Sequence, residues 1–162
     1  MDHLAVRRRL LLGISVSLIL VAFVQVFAYL SLKGVEKDYD WVLHTEKVIN
    51  ENNKLIALIS EAEANHRGYL LRGYDIFYQE YQQSINGIDD TGANLKELVN
   101  DNQLSNQRVD KLQQLISHKI KVMEDLLDLK RNQYRGDKTE QELAEEGVSF
   151  MKNIKTESER LN

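Results

Sequence analysis

Residues 10–32 read LLLGISVSLILVAFVQVFAYLSL, an unbroken apolar run of 23 residues with Arg7, Arg8 and Arg9 directly in front of it. The run holds no charge, and Gln25 is its only strongly polar side chain. As a helix rising ~1.5 Å per residue it reaches ~35 Å, enough to cross a ~30 Å hydrocarbon core with some tilt. Arginines before a span stay on the cytoplasmic side, so everything after Leu32 is expected to face outward. A cleaved signal peptide is the competing reading. Signal cores run only ~7–15 apolar residues, and Val26-Phe27-Ala28 is a passable cleavage site at best, so the run is read as a membrane anchor.

Outward from the anchor, residues 1–9 form a short tail, expected in the cytoplasm. Residues 33–162 are left to fold outside, about 130 residues and a size for one domain. The chain has no cysteine, so packing alone must hold that domain. It has no proline and eight glycines in 162 residues, a profile that suits long helices, since proline breaks them and glycine weakens them. Setting Arg7, Arg8, Arg9 and Asp2 aside leaves 18 basic and 24 acidic residues, a net of −6. An outer domain with that balance is not a nucleic-acid binder, because such affinity rests on phosphate neutralisation.

Apolar residues then recur at alternating steps of three and four along four stretches. The first carries Val42, Val48, Leu55, Ile59, Ala62 and Tyr69, widened by Ile49, Ile56 and Leu70. The second carries Tyr74, Phe77, Tyr81, Ile85, Ile88, Leu95 and Leu98, and the third Val109, Leu112, Ile116, Ile120, Met123 and Leu127. Leu143, Phe150, Ile154 and Leu161 carry the fourth. No stretch alternates with period two for long enough to argue a strand. The pattern predicts amphipathic helices over about 35–72, 75–100, 104–134 and 139–161, each burying one stripe. Gly73-Tyr74-Asp75, Asn100-Asp101-Asn102 and Arg135-Gly136-Asp137 separate them. Asn102 or Ser105 is placed to cap the third helix, and Thr139 with Glu142 reads as a capping box. Short loops put successive helices antiparallel. The expected fold is all-α: an N-terminal transmembrane helix running into an antiparallel four-helix bundle.

Polar residues also fall on the buried stripe of the first helix, at Thr45, Asn52 and His66. A buried polar residue costs stability and fixes register; a ligand or proton sensor is the sharper alternative. Catalytic constellations are missing. Glu63-Ala-Asn-His66 has the Glu-x-x-His spacing of di-metal bundles, but those sites need a second copy and two more glutamates, so no metal and no cofactor is expected. Neither a glycine-rich phosphate loop nor a nucleophile elbow is present. Glu63 and Arg67, four apart, suit a helix-surface ion pair. Tyr69, Tyr74, Phe77, Tyr78 and Tyr81 cluster around the first turn, either as a packed cap or as the wall of a ligand pocket.

The run from Ala62 to Gly73, AEANHRGYLLRG, resembles the signature of the third class of CHASE domains, the outward-facing sensory domains of bacterial receptors. That signature has a glutamate, three variable residues, then Arg-Gly-Tyr-Leu-Leu-x-Gly, an aromatic four residues on and a tyrosine four further. Glu63, Arg67, Gly68, Tyr69, Leu70, Leu71, Gly73, Phe77 and Tyr81 fill those places, and are the candidate signalling contacts. Asn65, Arg72 and Gln103 depart from residues common in the family at those points. The resemblance covers about residues 43–162. It implies a bundle between two membrane spans and an intracellular output module, most often a histidine kinase.

The resulting expectation is the anchor and extracytoplasmic sensory bundle of a receptor in a bacterial inner membrane, with a further span expected beyond Asn162. The segment itself is expected to be no enzyme, to work as a homodimer, and to answer an extracytoplasmic stimulus whose identity the residues do not disclose. Two other classes share the architecture: the ligand-binding bundle of a methyl-accepting chemotaxis receptor, and a membrane-tethered structural bundle without a sensing role. Gly68 costs a helix ~1 kcal/mol relative to alanine, so close approach by another helix is expected there.

Overall fold

The computed structural model describes the backbone of residues 3–161 and the side chains of Arg7, residues 11–30 and residues 41–161. The expected passage out of the membrane at Lys33–Asp40 is thus described by its backbone alone. Four helices follow in order: α1 (His3–Arg72), α2 (Asp75–Leu98), α3 (Gln103–Lys130) and α4 (Glu140–Glu159). No strand occurs among the described residues. The chain divides into two compact units, Met1–Leu43 and His44–Asn162.

In the first unit, the 20 residues Leu11–Leu30 are long and apolar enough to cross a membrane, and none of them is buried within the protein. The hydroxyls of Ser15 and Ser17 donate to the carbonyls of Leu11 and Gly13, at 2.9 and 3.0 Å. Their polarity is therefore satisfied inside the helix, as a hydrocarbon surrounding demands.

In the second unit, α1 from His44 onward packs with α2, α3 and α4 as an up-down-up-down bundle. Cross-helix contacts give the directions. Leu58 of α1 lies against Gly87 of α2, and Gly68 lies against Phe77, so the two run antiparallel. Gly92 and Lys96 of α2 meet Gln113 and Asp110 of α3. Lys111 and Lys119 of α3 meet Glu157 and Gly147 of α4. Asn52 of α1 meets Ser158 of α4. The stripes meet in one core, in which Leu55, Ile59, Ala62, Tyr81, Leu95, Val109, Leu112 and Ile154 are almost wholly enclosed. Val42 and Tyr74, at the outer ends of their stripes, are exposed instead, because no partner helix reaches that far.

The helix ends follow local chemistry. Gly73 adopts φ +71°, and its N–H donates to the Tyr69 carbonyl at 2.8 Å, closing α1 with a left-handed cap that a Cβ would strain. Asn102 caps α3 by accepting from the Ser105 N–H at 3.0 Å. Thr139 and Glu142 form the reciprocal capping box of α4. The third helix stops at Lys130, four residues short of the predicted end. Asn132 turns to φ 55°, and the N–H groups of Gln133 and Tyr134 both donate to the Asp128 carbonyl, which ends the helical ladder.

Candidate functional site

The candidate residues gather at the bundle pole formed by the α1–α2 turn and the α3–α4 connection. Gly68 is the pivot. A Cβ built there would lie 2.8 Å from Cδ1 of Phe77 and 3.0 Å from its Cε1 and Cγ. The close approach expected at this glycine is therefore made by a ring of α2, four residues past the turn, rather than by backbone. Phe77 in turn stacks on Tyr74 with centroids 6.4 Å apart.

Beside it, Tyr69, Tyr78 and Tyr81 form a chain of rings, with successive centroids 5.3 and 6.3 Å apart. Arg131 lies over Tyr78 at 4.8 Å and over Tyr69 at 5.8 Å. Lys130 donates to the carbonyls of Tyr69 and Leu70, at 2.9 and 2.5 Å. Carbonyls of a helix's last turn lack an internal partner, and a cation there also suits the helix dipole. The end of α3 thus clamps the end of α1. Tyr81 is enclosed, and its hydroxyl has no hydrogen-bond partner in the structure. Burial first, then the Glu124 carboxylate and Tyr78, push its pKa above the ordinary phenol value.

The glutamate–arginine half of the signature faces α3 and α4. Arg67 lies 3.4 Å from Glu63, a solvent-facing ion pair. The same Glu63 oxygen lies 3.2 Å from Nζ of Lys119, whose side chain is 4 % exposed. Lys119 also donates to the Gly147 carbonyl at 2.9 Å. His66, likewise buried, donates from Nε2 to the Met123 carbonyl at 2.8 Å, and its ring sits 5.7 Å from that of Tyr81. Desolvation is the main cause that lowers its pKa; Lys119 and Arg67 act in the same sense, while the Met123 bond and Glu63 oppose it. Glu63 is thus held by an ammonium, and among the described residues no three His, Cys, Asp or Glu side chains are grouped to hold a metal.

A cavity of about 270 Å³ opens beside this cluster, between α1, α3 and α4, lined by Glu63, His66, Arg67 and Lys119 and by apolar groups that include Leu70, Val122 and Val148. A larger groove of about 940 Å³ sits at the opposite pole, around His44, Lys47 and Asn94, and touches no signature residue. Leu71 is 78 % exposed and joins neither the rings nor the cavity.

Lys119 and Glu157 are the participants that residue patterns left unnamed. Both sit on stripe positions, Lys119 three after Ile116 and four before Met123, Glu157 three after Ile154. Glu157 is buried and accepts from Lys111 at 2.8 Å. That bond first, with further help from Arg160 and Arg108, lowers its pKa. At the same pole, the Asn52 amide donates to the Ser158 carbonyl at 3.0 Å, and the Ser158 hydroxyl donates to the Asn52 carbonyl oxygen at 3.1 Å. The reciprocal pair ties α1 to α4 inside the core.

Comparisons agree with this arrangement. Residues 38–162 match the model of the CHASE3 domain. The sensor domain of the histidine kinase HK9 of Rhodopseudomonas palustris, solved as a crystal structure, superposes with a TM-score of 0.62 at 17 % identity, covering 72 % of this chain and 91 % of that one. A comparison with curated proteins gives no match. With the Glu63–Tyr81 signature at one pole of a four-helix bundle and a family match over most of the sequence, the chain belongs to the CHASE3 family of extracytoplasmic sensory domains.

Proposed function

We propose that this chain is the input end of a sensor histidine kinase seated in a bacterial cytoplasmic membrane, with residues 33–162 on the outer side. The observation that carries this reading is the CHASE3 match at residues 38–162 directly after an apolar span preceded by arginines. The kinship in fold with a histidine kinase sensor domain supports the kind of output. The segment itself acts as no enzyme; it passes on a change in packing. Two copies work as a symmetric pair, the commonest arrangement for oligomers.

In this mechanism a stimulus favours one of two packings of the bundle. A differential stabilisation of ~1–3 kcal/mol is enough to couple a distant site. The movable elements are α1, through which the chain enters the bundle from the apolar span, and α4, through which it leaves. Asn52 and Ser158 join these two helices, so their pairing sets the resting state.

The test uses the protein in its membrane with the output module it carries. Asn52→Ala is expected to shift basal output several-fold. The exposed His118, changed to cysteine in a chain that has none, is expected to react in intact cells with a membrane-impermeant maleimide. Unchanged output refutes the mechanism; labelling only after lysis refutes the orientation.

A further inference from the structure

The cavity between α1, α3 and α4 has the chemistry of a ligand site rather than of a packing defect. Defects left by imperfect packing are apolar and dry. This one has a floor of ionisable groups: Lys119, Glu63 and the guanidinium of Arg67 at its edge. Two cations share one carboxylate there, so the floor carries one uncompensated positive charge. Lys119 is the buried member. An ammonium has three donor hydrogens, and Glu63 and the Gly147 carbonyl account for two of them. Gly147 keeps this arrangement open, since a Cβ there would lie 3.4 Å from the Lys119 Nζ. Arg67 is 67 % exposed and spends one edge of its fork on Glu63, leaving donors that match a carboxylate in pairs.

The walls are different. Leu70, Val122, Leu126 and Val148 make them apolar, and Val148 is 66 % exposed on the surface, an apolar side chain left without cover. At roughly 30 Å³ per water in the liquid, the 270 Å³ space equals about nine waters, room for a molecule of six to ten non-hydrogen atoms. The other acid in the lining, Glu140, stands seven residues before Gly147 on α4, about 10 Å along the helix from the floor. It is too far away to neutralise a group held by Lys119 and Arg67.

We propose that this cavity binds a small monocarboxylate with a branched apolar body, its carboxylate on Lys119 and Arg67 and its hydrocarbon against Leu70, Val122 and Val148. The inference rests on the receptor reading above and supplies that reading's stimulus. Occupation spans α1, α3 and α4 together, and hence the two helices that carry the signal.

The test is a calorimetric titration of the full chain in detergent micelles, with 4-methylpentanoate as probe and the near-isosteric cation 3-methylbutylamine as control, both carried into the millimolar range. The acid is expected to saturate at one per chain, and the amine to give no binding. Arg67→Gln, at an exposed position, is expected to weaken the acid at least about tenfold, the scale of one charged hydrogen bond. Ala144→Phe, an exposed residue that lines the cavity, is expected to abolish binding while helical content by circular dichroism stays unchanged. Equal binding of acid and amine, no binding of the acid, or an affinity untouched by both substitutions overturns the site. Binding of the acid that leaves the output of the intact receptor unmoved supports the site and refutes the receptor reading. Output that responds to the acid in the Ala144→Phe variant as in the parent refutes the site and leaves that reading standing.

Discussion

Gly68→Ala isolates the contact on which the signature pole is built. Two effects of opposite sign compete. Alanine in a helix interior gains roughly 1 kcal/mol over glycine. Its Cβ, however, would sit 2.8–3.0 Å from three atoms of Phe77, among them Cγ, which is fixed one bond from the ring's own Cβ and cannot swing away. Overpacking of that kind costs about 1–3 kcal/mol. The expected net effect is a loss of up to about 2 kcal/mol. For a unit of this size that corresponds to a fall in Tm of a few degrees per kcal/mol. A double-mutant cycle makes the reasoning sharp. In a Phe77→Ala background the ring is gone and the same glycine change becomes stabilising by about 1 kcal/mol, so the coupling energy equals the overpacking cost of about 1–3 kcal/mol. Thermal unfolding of the four chains in detergent, followed by circular dichroism, measures it. If Gly68→Ala raised Tm equally in both backgrounds, the ring would not be what requires the glycine, and the account of the signature would fail.

Other outcomes follow from the polar core. Glu63→Gln leaves the buried Lys119 ammonium short of its counter-charge and is expected to destabilise more than Lys119→Met, which removes the charge itself; chemical denaturation of the two single variants and the double variant checks the order. Asn52→Ala and Ser158→Ala each orphan a buried partner and should each cost about 1–3 kcal/mol, with the double variant costing much less than their sum. His66 has a folded-state pKa below its ordinary 6.5, so its contribution is fully present above that pH. As pH falls below 6.5 the unfolded chain takes up the proton first, and stability drops until the folded-state pKa is passed. Denaturation midpoints measured from pH 7.5 downward should show that slope, and His66→Gln should flatten it.

The helices were legible because a 3.6-residue period is a strong constraint: Leu55, Ile59 and Ala62 announce a buried face wherever they pack. The capping box at Thr139 was legible for the same reason, since it is local chemistry at a fixed spacing. Partners were not. Period places Gly68 on a face but cannot say that Phe77, across a turn, lies flat on it. Lys119 stood on the third stripe in plain sight, yet a lysine among apolar positions reads as a surface residue until the carboxylate that compensates it, Glu63, is brought alongside from another helix. Asn52 showed the reverse: its position marked it as a register residue, and only the packing of α4 disclosed that Ser158 answers it. Leu71, part of the signature, points to solvent, so membership in a sequence motif did not decide burial.

The paired amide and hydroxyl at Asn52 and Ser158 behave as a detent. A slide of α4 along α1 by a fraction of a turn would strand both groups among hydrocarbon, and a full turn would bring Ser158 opposite neighbours such as Val48 or Ile56, which offer no side-chain bond. Intermediate displacements are therefore penalised and the engaged position is favoured. Motion at this seam comes in steps, so a domain built this way answers a graded stimulus by changing how often it clicks over, not how far it travels.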